Sequence, residues 1–272
     1  MLLHATFLLL WAASSDMKAP EWETLQVTWA PPNSNSDIAF DTMPRIEADA
    51  LRKGWLKVSD CGDTSKFAGR RYVKDGDTAV VLIYDVNGYI AGIQAGFESV
   101  NGYPHASLLN EPFVEYNGKQ YITAYFVEPS SLCSTGRTAK QFAMEGTGTD
   151  LWIQTNTSPN DSHRVPRQES GLSGTLWTKG RCYTTMGQHY WYDARLDAPC
   201  DNFFPVFLLY NGGRLDAFGW SFMTTIASPR FEYPPNRAFG YFLDPVPRCL
   251  SKHTAGVTTL HIFLSNPRDS IC

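Results

Sequence analysis

Two stretches of this chain carry the same marks in the same order, and a repeat of that kind limits the fold to one built from two similar units. The first begins at Trp55 and Cys61. It continues through Gly69-Arg70-Arg71-Tyr72, Leu82-Ile83-Tyr84, Asn87-Gly88, Ile90 and Gly92, and closes on the run from Ala124 to Cys133. The second begins at Trp177 and Cys182. It continues through Gly187-Gln188-His189-Tyr190, Leu208-Leu209-Tyr210, Asn211-Gly212-Gly213, Leu215 and Gly219, and closes on the run from Ile262 to Cys272. Each stretch ends with an apolar strand, a proline turn and a Ser-apolar-Cys triplet. Equivalent cysteines should bond equivalently, so Cys61 is expected to pair with Cys133 and Cys182 with Cys272. Cys200 and Cys249 then remain, and both lie where the second stretch is longer than the first. Their bridge would staple the two insertions together.

The local patterns are those of strands joined by tight turns. Thr78 to Asp85 is β-branched and apolar, and Asn87-Gly88 leads into Tyr89 to Gln94. Asn-Gly between apolar runs marks a hairpin, because both turn residues must adopt positive φ. Pro205 to Tyr210, Asn211-Gly212-Gly213 and Arg214 to Trp220 repeat the arrangement. Gln120 to Glu128, Leu151 to Gln154 and Thr258 to Leu264 read as further strands. Asp41 to Lys53 could form a short helix with Met43, Ile46, Ala50 and Leu51 on one side, and Ser134 to Met144 is a second candidate. The proline- and aromatic-rich segment from Pro229 to Pro247 reads as an irregular ordered cover. The expected class is mostly β: antiparallel sheets from two sequence-related halves, few short helices, stapled by disulfides.

The first residues, Met1 to Ala13, form an apolar run followed by small residues, which is the pattern of a secretory signal. Six cysteines without a C-x-x-C pair suit disulfides in an oxidising compartment. Asn156-Thr157-Ser158 and Asn160-Asp161-Ser162 are glycosylation acceptors in one polar stretch. The expected organisation is a signal peptide over residues 1–15, an N-terminal extension over 16–53 and a first β repeat over 54–133. A connecting segment with the glycosylated loop follows over 134–173, then a second β repeat with insertions over 174–272. The localisation expected is secreted and extracellular.

Composition removes several function classes. The chain has 272 residues with 23 Lys and Arg against 27 Asp and Glu, a net charge of −4, and no basic run longer than two. Phosphate backbones call for clustered cations, so nucleic acid is not an expected partner. No apolar stretch reaches the ~20 residues of a membrane helix. The nucleophile elbow, H-E-x-x-H and phosphate-loop patterns are all absent.

Two readings of function follow. The first is a protein that binds an extracellular ligand (a small apolar molecule, a glycan or another protein) through its aromatic clusters. Tyr190, Trp191, Tyr192 and Trp220 are the candidate contacts. The second is a secreted metal-dependent enzyme, with an oxidoreductase as one option, centred on His189. His105, His189 and His261 would converge on copper or zinc, since imidazole suits both metals. The two acceptor triplets lead to a direct test. Made in a glycosylating secretory host, the chain is expected to carry added mass that an N-glycosidase removes. The double substitution Asn156→Gln and Asn160→Gln should remove it as well, and an unchanged mass would contradict the assignment.

Overall fold

A computed structural model describes residues 20–30, 37–108 and 112–272. The expected signal segment lies outside these residues. The first half of the chain supplies β1 (Gln26–Val27), β2 (Asp41–Thr42), β3 (Trp55–Ser59), β4 (Arg70–Lys74), β5 (Asp77–Tyr84), β6 (Ile90–Phe97), β7 (Val114–Tyr116) and β8 (Lys119–Tyr125). The second supplies β9 (Leu151–Gln154), β10 (Ser162–Val165), β11 (Trp177–Tyr183), β12 (Gly187–Tyr192), β13 (Val206–Asn211), β14 (Arg214–Phe222) and β15 (Thr258–Phe263). Short helices span α1 (Glu47–Arg52), α2 (Pro129–Leu132) and α3 (Ala139–Glu145). Helix α3 starts at a capping box in which Thr138 and Gln141 satisfy each other's backbone N–H groups. Helix α1 is shorter than its apolar pattern suggests. Its Ala50 is buried while Ile46 and Leu51 are exposed.

The strands form two antiparallel sheets, ordered β3-β4-β5-β6-β8-β9-β10 and β11-β12-β13-β14-β15-β1-β2, with β7 beside β8. Read from β3 and from β11, the orders correspond strand by strand. So do some of the irregularities. The β5–β6 register shifts between Ile83 and Tyr84, and the β13–β14 register shifts between Leu209 and Tyr210. The register also corrects one sequence equivalence: Ile83 faces Gly92 and Leu209 faces Ala217, so Gly219 corresponds to Gln94 rather than to Gly92.

Strands of both sheets also lie outside the two expected repeats. The connecting segment contains β9 and β10, which extend the first sheet beyond β8. The N-terminal extension contains β1 and β2, which extend the second sheet beyond β15. The hairpin leading into each half is thus paired with the far edge of the other half's sheet. An open strand edge offers unpaired N–H and C=O groups, and this exchange satisfies both. The correspondence continues into these segments. Tyr84 donates to Pro44 O and Tyr210 to Pro166 O, each at 2.6 Å. Tyr72 donates to the Glu47 carboxylate and Tyr190 to that of Glu169. Glu47 N–H reaches Gly88 O and Glu169 N–H reaches Gly213 O, both at 2.8 Å. A Pro-Arg-x-Glu motif ahead of each tryptophan is therefore a tie between entry hairpin and sheet.

The sheets face each other across a shared core. Leu82, Ile93, Ile122 and Phe126 of the first meet Leu208, Phe218, Trp220 and Ile262 of the second in one buried cluster. The Phe126 and Phe218 rings lie 6.3 Å apart and those of Phe97 and Phe222 5.0 Å apart. The outer face of the first sheet is roofed by Phe67 and Ala68 from the β3–β4 loop and by Leu132 of α2. The outer face of the second is roofed by the long β14–β15 segment, which has two 3₁₀ turns, Asn236–Tyr241 and Arg248–Lys252, and matches the irregular cover that its sequence suggests.

Three disulfides join Cys61 to Cys133, Cys182 to Cys272 and Cys200 to Cys249, the pairs expected from the sequence. The loops they close span 72, 90 and 49 residues. Chain entropy assigns each about 4–5 kcal/mol, less any native strain. The third joins the β12–β13 loop to the segment that roofs the second sheet. Replacing Cys200 and Cys249 by Ser should lower unfolding stability by up to about 4 kcal/mol. Amide exchange should accelerate in residues 229–250 and not in β5 or β6; uniform acceleration would show that the bridge supports the whole fold instead of the roof.

Candidate functional site

Side chains on the outer face of the second sheet alternate along each strand with those of the core. On β12, His189 and Trp191 face outward while Tyr190 faces inward to the Tyr210 ring, 5.5 Å away. On β13 Phe207 is outward, and on β15 it is His261. Between this face and the roof lies a cavity of about 280 Å³. Seven aromatic residues line it: Trp29, Trp191, Phe203, Phe207, Tyr233, Phe239 and Phe242. Gly219 gives the Phe207 ring its place, because a Cβ there would sit 2.2 Å from the ring and 2.4 Å from Leu260 O.

The polar groups of the cavity are few and specifically held. Glu232, from the roof, accepts four hydrogen bonds. Its Oε1 receives Trp29 N–H at 2.7 Å and His261 N–H at 3.2 Å. Its Oε2 receives the Thr259 hydroxyl at 2.8 Å and His261 Nδ1 at 2.7 Å. Burial opposes ionisation of this carboxyl, but His261 and these hydrogen bonds outweigh it and hold the pKa below the ordinary carboxylate value. His261 is 6% exposed, and its Nε2 is buried without a hydrogen-bond partner. His189 is 1% exposed and lies 6.4 Å from the His261 ring, centroid to centroid. Its Nδ1 donates to Arg181 O at 3.0 Å. Burial, with a smaller effect of His261, lowers its pKa to about 3, so it is neutral at physiological pH.

The same place on the first sheet is filled. Register aligns Arg71 with His189, Gln94 with Gly219 and Thr123 with His261. Arg71 Nε donates to Gln94 Oε1 at 2.7 Å, and Gln94 donates to the Thr123 hydroxyl at 2.8 Å. The Arg71 guanidinium lies over the rings of Phe67, Tyr116 and Tyr121, at 4.4, 5.4 and 4.7 Å from their centroids. One half closes this position with a cation and three rings. At the corresponding positions the other has the shorter His189 and Gly219, and the cavity lies between them and the roof.

The sequence candidates distribute unevenly. Trp191, His189 and His261 line the cavity. His105 does not: its Nε2 lies 3.3 Å from Asp201 and its ring packs on Tyr103. The expected three-histidine centre is therefore not assembled, and the described residues contain no group of three His, Cys, Asp or Glu able to hold a metal ion. Tyr190 faces the opposite side, where it donates to Glu169. Tyr192 packs on Phe204 at 4.9 Å outside the cavity. Trp220, fully buried, belongs to the core between the sheets. Asn156 and Asn160 are exposed in the tight β9–β10 hairpin loop. Glu232 is the residue that sequence reasoning missed. It is the one acid between Ser228 and Leu243, and that isolation in an aromatic segment was the available signal.

No protein-family model matches the chain, and neither a curated protein nor a solved structure matches it significantly.

The titration of His189 gives a test of the site's burial. In the unfolded chain it takes up a proton near pH 6.5, whereas the folded protein resists until about pH 3. The stability from its neutral form is whole above pH 6.5 and lost as pH falls toward 3, at about 1.4 kcal/mol per unit. Urea unfolding from pH 7 to 4 should show this slope added to that of the carboxylates, and His189→Phe should remove it. An unchanged slope in the variant would mean that His189 protonates freely in the folded state.

Proposed function

We propose that this is a secreted, glycosylated protein that binds a small, mainly apolar molecule in the cavity between the second sheet and its roof. The observation that carries the reading is the contrast between the two halves. Arg71, Phe67 and Tyr121 fill a position that the second half leaves open and lines with aromatic rings. An apolar void costs stability, and a ligand that fills it offsets that cost through mass action. Enclosure by rings and a few placed polar groups is how small-molecule sites are commonly built. The same lining argues against a glycan, whose hydroxyls need many more partners than His189, His261, Ser221 and Thr259 supply.

The remainder of the reading concerns origin and location. We infer a tandem duplication from the ordered sequence marks, supported by matching strand order, matching register shifts and matching Tyr-to-Pro ties. Three disulfides are consistent with an extracellular protein, and no helix among the described residues is long and apolar enough to cross a membrane.

Naphthalene is a suitable neutral probe. Its binding should saturate at one molecule per chain and quench tryptophan emission, since Trp29 and Trp191 both line the cavity. Leu250→Trp, which projects bulk into the same space, should weaken it at least about tenfold. Non-saturable partitioning, or equal affinity in the variant, would remove the reading.

A further inference from the structure

The polar end of the cavity restricts which apolar molecules it accepts. Each Glu232 oxygen already receives two hydrogen bonds, all four from donors. A carboxylate has about four lone-pair sites, so this one is saturated and faces only N–H and O–H groups. It therefore fixes the proton of His261 on Nδ1. The other nitrogen, Nε2, is buried and has no partner in the protein. In a neutral imidazole whose proton sits on Nδ1, Nε2 bears the lone pair. The N–H of His189 is committed to Arg181 O. The Ser221 hydroxyl turns to either role and does not discriminate.

We propose that the ligand is an apolar ring compound bearing a neutral hydroxyl, a phenol or a comparable alcohol, whose O–H donates to His261 Nε2. Glu232 acts as a positioning residue that sets the tautomer. A carboxylic acid fits less well, because its anion would join the ionised Glu232 in a low-dielectric pocket. Ethers and ketones leave Nε2 unpaired while losing their own hydration. This inference rests on the reading of the cavity as a ligand site and adds the ligand's chemical class.

The test compares four probes of one shape: 2-naphthol, 2-methoxynaphthalene, 2-acetylnaphthalene and 2-naphthoate. Wild-type protein should bind 2-naphthol about tenfold more tightly than the other three, the worth of one net hydrogen bond. In Glu232→Gln the amide NH₂ faces His261 Nδ1 and moves the proton to Nε2. The preference for 2-naphthol over 2-methoxynaphthalene should then fall to near unity, and 2-acetylnaphthalene should gain about tenfold. Nitrogen-15 shifts of wild-type His261 give a readout that no folding defect in the variant can affect. They should show Nδ1 protonated and Nε2 bare, with Nε2 responding to 2-naphthol alone. Equal wild-type affinities for all four probes, an unchanged preference in a folded Glu232→Gln, or a protonated Nε2 would overturn the inference while leaving the cavity as a ligand site. Failure of every probe to bind would overturn both.

Discussion

Everything in this fold rests on the crossed pairing of the two entry hairpins. Strands β1 and β2 close the edge at β15, while β9 and β10 close the edge at β8. Neither sheet is complete with the strands of its own half. The backbone groups of β8 and β15 would otherwise face solvent or another chain. The exchange also threads one core through both halves: Leu25, Val27 and Met43 on one side and Leu151, Ile153 and Val165 on the other enter the same buried cluster. The protein therefore behaves as one body, although its chain reads as two. Tyr84 and Tyr210 fix the exit of each hairpin by donating to Pro44 O and Pro166 O.

The cavity follows from a difference between the two outer faces of this near-symmetric frame. Both outer faces carry a polar row at the same register. In the first half the row is self-satisfied, with Arg71, Gln94 and Thr123 in a hydrogen-bonded chain and the guanidinium covered by rings. In the second half it is incomplete within the sheet, and Glu232 arrives from the roof to complete one side of it. That single carboxylate links the chain just after β1 through Trp29, β15 through Thr259 and His261, and the roof segment itself. It places its charge where four donors meet, which is how a largely buried anion remains ionised. The Cys200–Cys249 bridge holds the roof from its other end, adjacent to Leu250 in the cavity wall.

Sequence patterns made much of the frame legible. The Asn-Gly turns, the β-branched runs and the proline-rich cover are local signals, and each depends on the backbone preferences of its own residues. The pairs Cys61–Cys133 and Cys182–Cys272 could be read because a repeated order of marks converts counting into equivalence. The extents of the two halves could not. Strands β1, β2 and β10 have two, two and four residues, too short to show a period; β1 pairs with β15, more than two hundred residues away, and β10 lies in a stretch that reads as polar loop.

The sequence by itself determined the strand-rich class, the tight turns, the bridges and the presence of unusual residues at His189 and Trp191. Tertiary structure alone decided which of them meet. It separated Trp191 from Tyr190 and Tyr192 because neighbours on a strand face opposite ways. It sent Trp220 into the core and left His105 beside Asp201, and it brought Glu232 across 29 residues to His261. The reason is physical: a turn or a strand is a property of adjacent residues, but a saturated carboxylate and a bare imidazole nitrogen exist only once distant segments have packed and excluded water.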